Sequence, residues 1–341
     1  MQATAPSSRK PSVSPRGCAA TSSRRAPARR ARWSRIPRRA STDLNATDAE
    51  AEAFVATVEA APAKINLALH VTGRRADGYH LIDSAVTFTR FGDRVGVEEA
   101  PIDGFSTIGP YAHLIPAGAD NLVLRARDLL RGLASSACPP VRIMLDKNLP
   151  PASGIGGGSS DAAATLRALD RHWQLDLGET RLRDAALSLG ADLPMCLAAR
   201  PLRASGIGER LEPVNAMPAL DMVLVNPGVE VATPAVFAAL ARRDCAPLPA
   251  LPRSLSRTSL LDWLALTRND LEAAATTIAP AIGEALAALE EAGAAFARMS
   301  GSGATCFGLF EDAAAAARAA KAISAAHPGW FVTATQTTPS P

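Results

Sequence analysis

Aromatic residues are scarce, at 4% of the chain, with only two tyrosines and four tryptophans. The core must therefore be aliphatic, and any stacking platform must come from a handful of rings. No run of 18 or more apolar residues occurs, so no transmembrane helix is expected. The five cysteines (Cys18, Cys138, Cys196, Cys245, Cys306) form no C-x-x-C pair and show no metal-like histidine spacing. That excludes a disulfide scaffold and fits a reducing, cytoplasmic compartment. Two common nucleotide signatures are missing too. No lysine follows a glycine run as G-x-x-x-x-G-K-[ST] requires, and no G-x-G-x-x-G is followed by an acid placed for a ribose.

Charge is unevenly spread. The net charge is +3, but residues 1–50 carry 11 Lys and Arg against 3 Asp and Glu, and the other 291 carry 25 against 30. Residues 1–53 hold almost no large apolar residue beyond Trp33, Ile36 and Leu44, so a disordered basic extension is expected. Its composition fits a plastid transit peptide, a nucleic-acid or membrane-surface arm, or a dispensable extension. The acidic body lacks basic–aromatic interleaving, which argues against nucleic acid as a partner.

The body is organised around Leu149 to Trp173. Pro150 and Pro151 end the preceding strand. Gly154, Gly156, Gly157 and Gly158 form a loop, with Ser159, Ser160 and Asp161 as candidate helix caps. Ala162, Leu166, Leu169 and Trp173 then recur on one helix face. A glycine loop that aims its amides from a helix start is an anion site, usually for phosphate.

Upstream, Ile65 to Val71 alternates as a half-buried strand with Lys64 at its start, and Asp77-Gly78 marks a hairpin turn before Tyr79-His80. Phe88 to Val97 is strand-like, and Asp103 to Ala119 is loop-rich. Asp120 or Asn121 caps a helix with a Leu122, Ala126, Leu129, Leu130, Leu133 face, and Val141 to Leu145 is a strand. Downstream, Asp192 sits in apolar surroundings on an expected helix-to-strand turn, either a cap or a functional carboxylate. Thr233 is expected to cap a helix whose first turn holds Pro234. Asn269-Asp270-Leu271-Glu272 opens a helical region, and Ser300 to Thr305 is a second glycine loop between strands.

These pieces resemble the galactokinase, homoserine kinase, mevalonate kinase and phosphomevalonate kinase superfamily, and within it the branch acting on 4-diphosphocytidyl-2-C-methyl-D-erythritol. APAKINLALHVTGRRADGYHLI (61–82), DNLV (120–123), KNLPPASGIGGGSSDAA (147–163), GADLP (190–194), VATPAVF (231–237), NDLE (269–272) and MSGSGATCFGLF (299–310) carry the likeness. Ile155 stands where leucine is usual.

The resemblance implies an α+β fold of two domains with the active site between them. A ribosomal-protein-S5-like ATP-binding domain is expected over 54–214 and a ferredoxin-like domain over 215–338. It implies an ATP- and Mg2+-dependent kinase of the non-mevalonate isoprenoid pathway, monomeric or homodimeric. Its acceptor is the 2-hydroxyl of a small cytidine diphosphate substrate. Asp192 matches the general base, and Lys64 the lysine that keeps it ionised. Asn66 resembles a substrate contact. Tyr79 and His80 resemble the cytosine site, with Phe237 as second wall and Thr233 nearby. Asn121 and Lys147 resemble adenine-side contacts. Pro150, Pro151, Ala152, Ser153, Gly154, Ile155, Gly156, Gly157, Gly158, Ser159 and Ser160 resemble the ATP phosphate loop. No protein ligand of the metal is implied, though Ser159 or Ser160 could touch it or a phosphate oxygen. A homoserine, mevalonate or sugar substrate is the rival reading, and it leaves Tyr79, His80 and Phe237 without a base to stack.

Overall fold

The structure, a computed structural model, describes residues 57–340. The basic extension, 1–53, and the expected onset of the body near Phe54 lie outside them. Six strands build one sheet: β1 (Thr57–Arg74), β2 (His80–Glu99), β3 (Gly104–Ile108), β4 (Val141–Asp146), β5 (Leu202–Gly206) and β6 (Arg210–Pro213). Their order is β3-β4-β2-β5-β6, with β1 pairing β2 through the Asp77-Gly78 hairpin. Between β3 and β4 lies α1 (Leu122–Leu133); after β4 come α2 (Gly157–His172), α3 (Gly178–Leu189) and α4 (Leu193–Ala198). A second, antiparallel sheet is built from β7 (Asp221–Asn226), β8 (Phe296–Met299), β9 (Cys306–Leu309) and β10 (Phe331–Gln336) in the order β10-β7-β9-β8. Its helices are α5 (Thr233–Ala238), α6 (Arg257–Ala265), α7 (Glu272–Ile278), α8 (Ala281–Glu291) and α9 (Ala313–Ala326).

The apolar core runs from one sheet into the other. Ile65 and Leu67 of β1 pack with Leu220, Met222 and Phe307, while Leu69 and Val71 join the cluster around Val223, Ile282 and Leu289. This corrects the half-buried reading of β1: every residue from Ala63 to Val71 is buried, because the second sheet packs on its apolar residues while Lys64, Asn66 and His70 on the polar face are engaged by Asp192, Ser84 and Ala246 O. Asp103 to Ala119 is not all loop, since β3 adds a parallel edge strand beside β4. The stripe of α1 that is fully buried is Val123, Ala126 and Leu130; Leu122 and Leu129 are partly covered and Leu133 is exposed. Among the described residues no helix is long and apolar enough to cross a membrane.

Candidate active site

The helix α2 begins earlier than its polar residues suggest. Its N-cap is Gly156, at φ +66°, a left-handed conformation that a Cβ would strain. Ser159, Ser160 and Asp161 therefore lie inside the helix rather than capping it. Ser160 is fully buried and donates to Pro62 O at 2.7 Å, which leaves half-buried Ser159 as the serine open to a ligand. The first-turn amides of α2 lack intrahelical acceptors, and the helix dipole adds partial positive charge there. A Cβ built on Gly158 would meet only Leu122 Cδ1, at 3.7 Å, so the space over this turn is open.

Two glycine loops interlock above β1. A Cβ on Gly154, itself at φ +76°, would stand 2.4 Å from Gly303 O and 2.8 Å from Ser300 O. Only glycine lets the first loop lie on the second. Thr305 N donates to Ser153 O at 3.1 Å, and Lys64 N donates to Ile155 O at 2.9 Å, tying both loops to the strand that carries Lys64. Ser153 Oγ, within the loop, donates to Pro150 O at 2.6 Å.

Lys64 Nζ lies 2.8 Å from Asp192 Oδ2, across 128 residues of sequence. The lysine side chain is 7% exposed and the carboxylate 42%. Burial alone would lower the Lys64 pKa, but the charge and hydrogen bond of Asp192 outweigh it and hold the ammonium above its ordinary value. Asp192 does not sit on a helix-to-strand turn. It precedes the short helix α4, and its carboxylate makes no cap bond because it faces Lys64 instead.

Beside this pair, Asn66 Nδ2 donates to Ser84 Oγ at 2.8 Å, and Ser84 Oγ donates to Ala68 O at 2.7 Å. Ser84 can then only accept from Asn66, so the amide orientation is fixed. Asn66 Oδ1 is left buried without a partner, near Gly301. The His80 ring stacks on Phe237 with centroids 4.7 Å apart, and His80 Nε2 is buried with no partner. Tyr79 is 60% exposed beside them. Thr233 is not a cap, since Ala232 holds that position; its Oγ1 is hydrogen-bonded to Ser302 Oγ at 2.7 Å.

The GHMP kinases N terminal domain matches residues 121–200, and GHMP kinases C terminal matches 250–329. A 4-diphosphocytidyl-2-C-methyl-D-erythritol kinase of Mesorhizobium japonicum is 61% identical over 277 residues, covering 81% of this chain and 94% of the relative. The kinase of the same name from Brucella melitensis is 57% identical over 284 residues, covering 82% and 95%. The chain belongs to the 4-diphosphocytidyl-2-C-methyl-D-erythritol kinase family. A crystal structure of a 4-(cytidine 5'-diphospho)-2C-methyl-D-erythritol kinase superposes with a TM-score of 0.69 at 35% identity, covering 83% of this chain and 100% of that one. A homoserine kinase from Cytophaga hutchinsonii, at TM-score 0.57 and 17% identity, covering 86% and 98%, shares the fold.

In this kinase two side chains expected on the adenine side face inward. Asn121 Oδ1 accepts from Val123 N at 2.8 Å as the cap of α1, and its Nδ2 donates to Pro116 O at 2.7 Å. Lys147 is buried between Asp93 Oδ2 at 2.5 Å and Asp161 Oδ2 at 2.7 Å. Any contact they make with a base would have to come from their backbone. Sequence reasoning missed Ser84, Asp93 and Ser302, whose chemistry exists only through partners remote in sequence. The second glycine loop carried the resemblance but was given no role. Its close approach to Gly154 and its Ser302–Thr233 bond place it against both the first loop and α5.

Proposed function

We propose that this kinase transfers the γ-phosphoryl group of ATP to the tertiary 2-hydroxyl of 4-diphosphocytidyl-2-C-methyl-D-erythritol, giving the 2-phosphate and ADP in non-mevalonate isoprenoid precursor synthesis. The supporting observation is the Lys64–Asp192 pair at 2.8 Å beside the interlocked glycine loops. Asp192 takes the proton of the 2-hydroxyl as its oxygen bonds to the γ-phosphorus. The bond to the β,γ-bridging oxygen breaks, and ADP leaves with that electron pair. The half-exposed carboxylate then returns its proton to water. Lys64 orients Asp192 through their 2.8 Å contact and stabilises the forming alkoxide. Asn66 Oδ1 accepts a hydrogen bond from another hydroxyl of the acceptor, beside the reacting one. The amides at the start of α2 and Ser159 hold the ATP phosphates.

Bound Mg2+ would neutralise charge across the phosphates. Among the described residues no group of three or more His, Cys, Asp and Glu could hold a metal. That fits an ion liganded largely by phosphates and water. In this reading residues 54–214 bind ATP, residues 215–338 close the site, and the acceptor is a small cytidine diphosphate. The enzyme works as a cytoplasmic monomer or homodimer.

The direct test is ADP release on ATP and Mg2+ with 4-diphosphocytidyl-2-C-methyl-D-erythritol, beside homoserine and mevalonate. Release with the cytidine compound alone is expected; release with either other alcohol instead would overturn the acceptor assignment. Ser84→Ala frees the Asn66 amide to turn. It is expected to raise KM for the alcohol about three- to tenfold, the range of one hydrogen bond, with KM for ATP unchanged. An equal rise in both constants would mean general loosening rather than lost orientation.

A further inference from the structure

Two Arg-Arg pairs flank the His80–Phe237 stack, and they are used asymmetrically. Arg74 ends β1, its backbone pairing with His80 in the β1–β2 ladder, and Arg75 follows it into the turn. Arg242 and Arg243 follow α5, the helix that carries Phe237. In each pair one guanidinium is neutralised locally: Arg75 by Asp77 at 2.7 Å and Arg242 by Asp244 at 3.0 Å. The other is not. Arg74 Nε donates to Gly78 O at 3.1 Å, and Arg243 Nη2 donates to Ala238 O at 2.9 Å, one residue past Phe237. Neither meets a carboxylate among the described residues, and Arg243 Nε is buried with no partner. The backbone carbonyls fix where both heads stand while leaving their charge uncompensated. Their charges act on the same ring: burial first, then the fields of Arg74 and Arg243, lower the His80 pKa.

We infer that Arg74 and Arg243 form a two-sided clamp for the diphosphate of the acceptor. The inference rests on the cytidine reading of the His80–Phe237 site. A base held there puts its 5′-diphosphate one ribose away, and two uncompensated positive charges match that dianionic group. Guanidinium is suited to the task because its planar donors meet phosphate oxygens bidentately. The ATP phosphates are met separately, by the amides at the start of α2. Arg74 and Arg243 thus act in specificity: they distinguish a nucleoside diphosphate conjugate from a bare polyol.

The test is competitive inhibition of ADP release by cytidine, CMP and CDP, at saturating ATP, for the full chain and for Arg74→Gln, Arg243→Gln and Arg243→Lys. In the parent chain, affinity is expected to rise from cytidine through CMP to CDP. Each Gln variant should bind CDP at least tenfold more weakly, with cytidine changed less than twofold and KM for ATP unchanged. Arg243→Lys should recover part of the CDP affinity. Unchanged CDP inhibition in both Gln variants would overturn the clamp. So would an equal loss of cytidine and CDP, which marks a structural effect. Failure of cytidine, CMP and CDP alike to inhibit the parent chain would instead overturn the base site on which the clamp rests.

Discussion

Asp192→Asn is expected to lower kcat by about three orders of magnitude, within the range of a lost general base, while ATP still binds. The amide nearly preserves the shape of the carboxylate but cannot accept the hydroxyl proton. Its effect should fall on kcat, because the phosphate-binding amides belong to α2 and the glycine loops, which Asp192 does not touch. The two halves of the ion pair are not equivalent. Removing Asp192 strips its partner from an ammonium that is 7% exposed, whereas removing Lys64 leaves a carboxylate that is 42% exposed and can be hydrated. Asp192→Asn should therefore cost more stability than Lys64→Met. Single-turnover kinetics and calorimetric titration with ATP check the first statement, and urea denaturation of the two variants checks the second. Turnover within tenfold of the parent chain would remove Asp192 from the base role.

Lys147→Met is expected to destabilise the fold by about 3–5 kcal/mol, the range for breaking a buried ion network. Lys147 is 1% exposed and is shared by Asp93 and Asp161, which are almost equally buried. Asp93 Oδ1 also accepts from Asn148 N at 2.5 Å and Leu149 N at 2.8 Å, where β4 runs out into the glycine loop. One cation thus joins β2, the entry to the loop and the second turn of α2. Burial already raises the Asp161 pKa well above the usual carboxylate range, against the pull of Lys147. A carboxyl raised in the folded state contributes stability below its unfolded pKa and loses it as pH rises through the folded one. Without Lys147 the protonated form of buried Asp161 is favoured further, and supplying that proton costs more as pH rises. The deficit of Lys147→Met should therefore be smaller at pH 5 than at pH 8. Urea denaturation at both values tests this, and an equal deficit would contradict it.

What was readable in the sequence was local. The buried face of α2 and the Asn121 cap follow from spacing and side-chain chemistry within one turn. The start of α2 was misplaced because Ser159, Ser160 and Asp161 are good capping residues. Here Pro62 and Lys147 engage two of them, and a left-handed glycine ends the loop. The strand β3 was missed because Gly104–Ile108 is a polar edge strand without a full apolar pattern. The burial of β1 on both faces depended on a sheet that begins 150 residues later. The Lys64–Asp192 pair had no signal in periodicity, since neither residue's neighbours point to the other. Only the family resemblance joined them, and the 2.8 Å contact gives that implied pairing a geometry.

The most direct measurement of the proposed chemistry is the proton-coupled phosphorus NMR spectrum of the product formed from ATP and 4-diphosphocytidyl-2-C-methyl-D-erythritol. The 2-hydroxyl sits on a carbon bearing no hydrogen. Transfer there should add a phosphomonoester resonance free of P–O–C–H splitting, with the diphosphate signals of the acceptor retained. A split monoester resonance would place the phosphate on a primary or secondary hydroxyl, and the absence of any new monoester would contradict the kinase assignment for this substrate.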